Sequence, residues 1–392
     1  MQQKLERKAP RLARYLKEIE IQFKWLFIWI FLKILSGPAR RHSRPIDPKA
    51  VRGVLFLRQD KIGDMVVMLP TLHTLKHRRP DITIGVFASP VNYRIIENDR
   101  CIDKTYVYRK SLGSIITTFR AVRRDDYDVV VDLMTGTSVT SLVIAMLCAP
   151  RAYRIGIGKE SFRKYYDYYT LEYMNHEKKL HITEMYRATM EPLDIRLHQG
   201  VRAYKIALSE SQQERGRQLA RQISDPRFRG LIMLNCSAGK LDRTLHLSKF
   251  VRLVSDLSLH YPDIQFLISY APNEIDLAKK ALAAGGENVT LLPTGVSIMD
   301  MVSLMPHLTA VISVDTSICH IAANLDVPLL AMYNGNHFNF ARWYPYNDPK
   351  RVWILRSPDW KSVDGISYED LIQAADGFIS DLSKQSILKP AK

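Results

Sequence analysis

Short apolar runs alternate with stretches of helical periodicity twice along this chain, first from Val51 to Leu147 and again from Gly230 to Tyr333. In the first series the apolar runs predict strands at Val51–Arg58, Asp81–Ala88, Lys104–Tyr108 and Asp128–Leu133. Helical spacing follows over Asp64–Arg79, Leu112–Arg124 and Ser138–Leu147. A looser Tyr-rich segment comes next (Tyr165, Tyr166, Tyr168, Tyr169, Tyr173), then a helix near Glu184–Leu193. The second series predicts strands at Gly230–Asn235, Asp263–Ser269, Asn288–Leu292, Thr309–Val314 and Leu329–Tyr333, with helices at Leu247–His260, Glu274–Ala284 and Ile298–Met305 and a short one from Ile318 to Leu325. Strands alternating with helices of this length form parallel sheets covered on both faces, so the fold class is α/β.

At 392 residues the chain has room for two such units, each with a sizeable core. The restart at Gly230 places an N-terminal unit at residues 51–205 and a C-terminal unit at 206–366. Residues 1–50 form a preceding arm and linker, with Ser36-Gly37-Pro38 and Pro45–Pro48 as the breakers. Residues 367–392 hold a last helix, Tyr368–Leu382, expected to pack back across one of the units. In doubly wound sheets ligands sit off the carboxyl ends of the strands, and two facing units would enclose a cleft there.

Charge narrows the choice of partner. The net charge of +16 favours anionic ones: nucleic acid, anionic lipid or a phosphorylated substrate. Residues 4–44 carry eleven Lys/Arg against three Glu, a balance of +8 and half the total. In the same arm Leu12, Leu16, Ile19, Phe23, Phe27, Ile30 and Ile34 recur at helical spacing. Its apolar stretch Trp25–Leu32, between Lys24 and Lys33, is far short of the roughly twenty residues a spanning helix needs. A basic amphipathic helix with Trp and Phe on one side fits an anchor lying in a membrane interface over residues 11–35, and packing on protein is the alternative. No small-residue cleavage site follows the stretch, so no secretory leader is expected. Cys101, Cys148, Cys236 and Cys319 show no CxxC spacing, which points to small apolar residues rather than a zinc site or disulfide framework.

Three strand-end segments could carry chemistry. After the first strand, Arg58-Gln59-Asp60-Lys61-Ile62-Gly63-Asp64 ends in a carboxylate that is either a helix N-cap or a general base aimed into the cleft. After the first strand of the second unit, Asn235-Cys236-Ser237-Ala238-Gly239-Lys240 runs on to Arg243. Its small residues (Ser237, Gly239) admit a phosphate, and Lys240 or Arg243 can neutralise it. After the strand ending at Val314, Asp315-Thr316-Ser317 opens a helix with His320 one turn on. Side-chain oxygens, orphan N–H groups and the helix dipole there suit a phosphate, or simply an ordinary capped helix. Arg154-Ile155-Gly156-Ile157-Gly158-Lys159 lacks a third Gly and opens no periodic helix, so it is no dinucleotide fingerprint. Val54–Asp64 also lacks one, which disfavours a NAD-dependent oxidoreductase. A nucleic-acid binder would show basic and aromatic residues interleaved on strands, and that signature is absent.

Taken together, RQDKIGDMVVMLPTLHTLK (Arg58–Lys76), YDVVVDL (Tyr127–Leu133) and VDTSICHIAANLDVPLLAMYNG (Val314–Gly335) resemble glycosyltransferase family 9, the bacterial lipopolysaccharide heptosyltransferases. The resemblance covers about residues 52–350 and implies a GT-B fold of two Rossmann-like domains, acceptor half first and nucleotide-sugar half second. It implies Asp64 as the catalytic base and Asp315, Thr316 and His320 in the donor segment. Arg243 falls where the family usually carries Lys, and Ser317 replaces the Gly of a DTG motif. Thr244 and Leu245 depart from the usual aromatic-bearing pattern.

The implied activity is metal-independent, inverting transfer of a sugar, heptose from ADP-heptose, onto a lipid-linked core saccharide at the cytoplasmic face of the inner membrane. No cofactor beyond the nucleotide sugar is expected. Thr316 and Ser317 N–H groups with Arg243 would stabilise the leaving diphosphate. Arg58, Lys61, Arg120 and Arg123 are the candidate acceptor contacts, with Arg124, Arg163 and Lys164 as further cations. A transferase or epimerase using another nucleotide sugar is the alternative.

Overall fold

The computed structural model describes residues 45–109, 111–135, 138–170, 181–195, 204–235, 240–345 and 350–389. The N-terminal arm, where an amphipathic helix is expected, and Ser237 and Gly239 lie outside the described residues.

The first unit is a six-stranded sheet: β1 (Gly53–Arg58), β2 (Thr83–Ala88), β3 (Lys104–Val107), β4 (Val129–Asp132), β5 (Tyr153–Ile157) and β6 (Tyr168–Thr170). Its helices are α1 (Ile62–Arg78), α2 (Leu112–Arg124), α3 (Val139–Cys148) and α4 (Ile182–Ala188). The spatial order is β3-β2-β1-β4-β5-β6, with every pair parallel. All six residues of β1 are buried, as a central strand between two helical layers requires. Two strands go beyond the sequence reading. β5 occupies the stretch dismissed as a dinucleotide fingerprint, and a 3₁₀ turn, Glu160–Tyr165, rather than an α-helix follows it. β6 falls within the Tyr-rich segment, where Tyr168-Tyr169-Thr170 is too short a run to read.

The second unit repeats the plan after α5 (Glu210–Ile223). Its strands are β7 (Leu231–Asn235), β8 (Gln265–Ser269), β9 (Val289–Leu291), β10 (Ala310–Val314), β11 (Leu329–Tyr333) and β12 (Val352–Arg356). Helices α6 (Leu247–His260), α7 (Ile275–Ala284), α8 (Ile298–Leu304), α9 (Ser317–Asn324), α10 (His337–Trp343) and α11 (Tyr368–Lys384) complete it. The order β12-β11-β10-β7-β8-β9 is again fully parallel. Both sheets thus reverse direction beside their first strand, the doubly wound arrangement that opens a crevice at that point. Helix α11 lays Leu371, Ala375, Phe378, Ile379 and Leu382 onto the second unit, with Tyr368 bonded to Asp256 on α6 at 2.5 Å.

The two units meet through α1 and α9. Gly63, in the first turn of α1, sits so close to α9 that a Cβ there would lie 2.9 Å from His320 Cδ2 and 3.5 Å from Ser317 Cα. A branched side chain must therefore push the helices apart. Gly63→Val is expected to cost about 1–3 kcal/mol by overpacking, read as a lower urea midpoint. The linker adds polar ties, with Asn324 donating to Tyr204 O at 2.6 Å and accepting from the Ile206 N–H at 2.8 Å.

Candidate active site

The loops after β1, β7 and β10 converge on a cleft of about 900 Å³ between the units. Lys61, Gly63 and Asp64 come from the first unit, and Lys240, Arg243, Asp315, Thr316, Ser317 and His320 from the second. The cleft also receives Ser269, Tyr270 and Leu292 from the ends of β8 and β9, so it lies off the carboxyl ends of both sheets.

Asp64 is the third residue of α1, not its cap. The cap position belongs to Lys61, whose side chain makes no capping bond. With no N–H to satisfy, the Asp64 carboxylate pairs instead with the guanidinium of Arg58. Arg58 ends β1 and is 1% exposed. It also holds the Leu133 carbonyl at the end of β4 and pairs with Asp60 at 3.1 Å. Tyr186 of α4 lies beneath it, ring centroid 5.5 Å from the guanidinium carbon. Arg58, expected to meet the acceptor, thus has its guanidinium turned inward on Asp64, Asp60 and Leu133. Arg120 and Arg123 are two further expected acceptor contacts on the first unit. Both are exposed on α2 and outside the cleft wall, and Arg123 donates to Leu147 O at 2.6 Å near the end of α3. Lys61 is the one expected acceptor contact that lines the cleft.

Behind Arg58 stands a buried ion pair that sequence reasoning missed. Lys159 and Asp132 have fully buried side chains 3.0 Å apart. Asp132 also accepts from Ser141 Oγ at 2.7 Å, Tyr166 Oη at 2.6 Å and the Met134 N–H at 3.0 Å. Lys159 donates to the Met134 carbonyl. Two buried cations thus grip consecutive carbonyls, Leu133 and Met134, on the loop that borders the cleft. The available signal was an Asp closing an apolar run in YDVVVDL, but its partner comes from the next strand's end.

Across the cleft, Thr316 caps α9, accepting from the Ile318 N–H at 3.1 Å. Asp315 is 3% exposed and pairs with Arg243 Nη1 at 3.0 Å. Burial lifts its carboxyl above the usual range while Arg243 pulls the other way. Asp315 therefore acts first as the holder of Arg243. The ammonium of Lys61 is pushed below its usual range by burial and by Lys240 and Arg243. Three cations from both units thus press on one another, and a bound polyanion would relieve them. Burial drives His320 down to about 3, so its imidazole is neutral near pH 7 and packs at the Gly63 seam. Tyr270, Leu292, Val296, Ile298 and Met301 form an apolar wall beside this charge. None of these five had stood out in the sequence, because their helices and strand ends carry no polar landmark.

A carboxylate aimed by an arginine, facing a cationic cleft with an apolar slot, can accept a proton opposite a bound phosphorylated group. Comparison with known proteins bears on the family and the fold. The chain is 22% identical over 352 residues to lipopolysaccharide heptosyltransferase 3 of Escherichia coli K12, covering 81% of this chain and 96% of that protein. Among solved structures, a family 9 glycosyltransferase from Veillonella parvula superposes with a TM-score of 0.70 at 17% identity, covering 84% of this chain and 97% of that one. The Escherichia coli ADP-heptose lipopolysaccharide heptosyltransferase II gives a TM-score of 0.67 at 16% identity, with coverage of 85% and 99%. These neighbours establish the GT-B arrangement of two parallel α/β units. The profile of glycosyltransferase family 9 (heptosyltransferase) matches residues 115–369, and the chain belongs to that family.

Proposed function

We propose that the protein transfers a heptose from ADP-heptose to a lipid-linked lipopolysaccharide core saccharide, with inversion at the anomeric carbon. The observation that carries this reading is Asp64, aimed by Arg58, facing Lys61, Lys240 and Arg243 in one cleft. Asp64 accepts the proton of the acceptor hydroxyl as that oxygen attacks the anomeric carbon from the face opposite the nucleotide. One bond forms as the sugar–diphosphate bond breaks, which inverts the centre. ADP leaves with its new negative charge facing the cations and the N–H groups at the start of α9. The apolar wall from Tyr270 to Met301 receives the base. Lys61, Lys240 and Arg243 supply the positive charge at the leaving group, so the step uses donor and acceptor alone. The resemblance of the named relatives' substrates, ADP-heptose and lipopolysaccharide, supports the donor and acceptor.

Arg243→Ala removes a cation held 3.0 Å from Asp315 at the leaving-group site. A fall of about 10²–10³ in kcat is expected, by analogy with loss of one transition-state donor. Calorimetric titration of ADP-heptose against UDP-sugars tests the donor, and mass analysis of the product tests transfer. Preferential binding of a UDP-sugar would overturn the heptose assignment.

The basic arm would keep the protein on the cytoplasmic face of the inner membrane, beside its acceptor. Among the described residues no helix is long and apolar enough to cross a membrane. Deleting residues 1–36 should release the protein from anionic vesicles and leave turnover of a lipid-free acceptor intact. Vesicle binding that survives the deletion assigns anchoring to another surface.

A further inference from the structure

The guanidinium of Arg58 serves two carboxylates at once. Its Nη2 holds Asp64 and its Nε lies 3.1 Å from Asp60 Oδ1, while Nη1 takes the Leu133 carbonyl. Nε and Nη2 are adjacent nitrogens of one planar group, so the two carboxylates stand side by side. Both line the cleft on the wall of the first unit. The Asp60 side chain is the more open of the two, 27% exposed against 13% for Asp64.

Asp60 also has acceptor capacity to spare. An ionised carboxylate offers about four acceptor sites. Its Oδ1 is buried against Arg58 without a hydrogen bond, and among the described residues its Oδ2 receives none either. Asp132, by contrast, accepts from Ser141, Tyr166 and Met134. The loop that carries Asp60 is fixed on both sides. Asn92, fully buried after β2, donates to the carbonyls of Arg58 at 2.9 Å and Lys61 at 3.4 Å. Val91, next to it, is exposed and lines the same wall.

We propose that Asp60 binds the acceptor sugar through a free hydroxyl next to the one that Asp64 deprotonates. A fixed carboxylate with unused acceptor sites suits a hydroxyl donor, and a hydrogen bond to an ionised group is of the stronger kind. Two neighbouring hydroxyls on one sugar ring match two carboxylates held by one guanidinium. Val91 offers apolar surface to the C–H groups of the same ring. Arg58 then orients both contacts through a single buried group, which selects the oxygen that meets Asp64. The inference rests on the sugar-transfer reading and adds the feature by which the acceptor is chosen. The sequence hides it, because Asp60 reads as a turn residue between cations until Arg58 is seen to face inward.

The test uses the full chain, a lipid-free core saccharide, and analogues that each lack one hydroxyl of the terminal sugar. Calorimetric titration gives binding, and steady-state transfer gives KM and kcat. On the wild type, one analogue besides that lacking the accepting hydroxyl should bind about 10- to 100-fold more weakly than the parent. Asp60→Ala should weaken the parent by a similar factor and bind that analogue no worse than the parent, with donor affinity unchanged. Asp60→Asn, which keeps the size but not the charge, should fall between. A role confined to neutralising Arg58 would lower kcat for every acceptor alike and leave binding across the series unchanged, which overturns the proposal. So does a series in which no second hydroxyl matters, or one whose pattern survives in Asp60→Ala. Should Asp60→Ala fail to fold, the wild-type series and Asp60→Asn decide. Hydroxyl-dependent binding without transfer would instead overturn the transfer reading and leave the Asp60 contact standing.

Discussion

Replacing Asp64 with Asn is expected to lower sugar transfer by about 10²–10⁴, the usual range for loss of a general base. The amide keeps the size of the side chain and an oxygen for Arg58, so the fold and donor binding should stay near wild type. Only the ability to accept the hydroxyl proton is removed. Single-turnover transfer to a core acceptor, beside calorimetric titration of the donor, separates the two effects. Turnover near wild type in a folded variant would remove Asp64 from the reaction. Loss of donor affinity instead of rate would move it to the binding site. The size of the effect depends on Arg58, which is 1% exposed and fixed by the Leu133 carbonyl as well as by Asp64. A general base contributes only when its oxygen is aimed, and here the aim comes from the end of the neighbouring strand.

The second large effect is on stability. Lys159→Met is expected to destabilise the protein by about 3–5 kcal/mol, because it leaves the charge of Asp132 buried without its ionic partner. Both side chains are fully buried and 3.0 Å apart, so water cannot replace the lost ammonium. Met preserves the methylene stem that packs against Gly156, which confines the change to the charge. Urea unfolding gives the value directly. The double substitution Lys159→Met with Asp132→Asn should recover part of the loss, since the orphaned charge is then gone. A loss below about 1 kcal/mol, typical of exposed pairs, would show that the pair is solvated in solution. The same substitution should slow transfer, because Lys159 holds Met134 next to the carbonyl that orders Arg58.

Most of the strands were legible from the alternation of apolar runs and helical stretches, because parallel strands buried on both faces leave continuous apolar runs. β5 and β6 were not. The first sits in a Gly-containing stretch, RIGIGK, and the second has three residues, so neither reaches a readable period. At the site, the positions of Asp64, Arg243, Asp315 and Thr316 could be placed at strand ends, where chain direction dictates that loops meet ligands. The role of Arg58 could not. A guanidinium at a strand end reads as a surface cation until the structure shows Asp64 and Leu133 closing around it. The placement of Arg120 and Arg123 outside the cleft wall was not legible either, because helical spacing gives a face but not the layer that face belongs to. His320 keeps its place one turn into α9, but its contact is with Gly63 of the other unit.

The sequence by itself determined two parallel α/β units, a basic arm, and the strand ends at which chemistry can occur, because these follow from periodicity and chain direction. Only the tertiary structure decided which of the charges at those ends face the cleft and which are spent inside. That choice depends on pairings between residues 6 to 75 positions apart, such as Arg58 with Asp64 and with Leu133, Arg243 with Asp315, and Lys159 with Asp132. Such pairings form only after the sheets bring those positions together and burial strips away the water that would otherwise screen them.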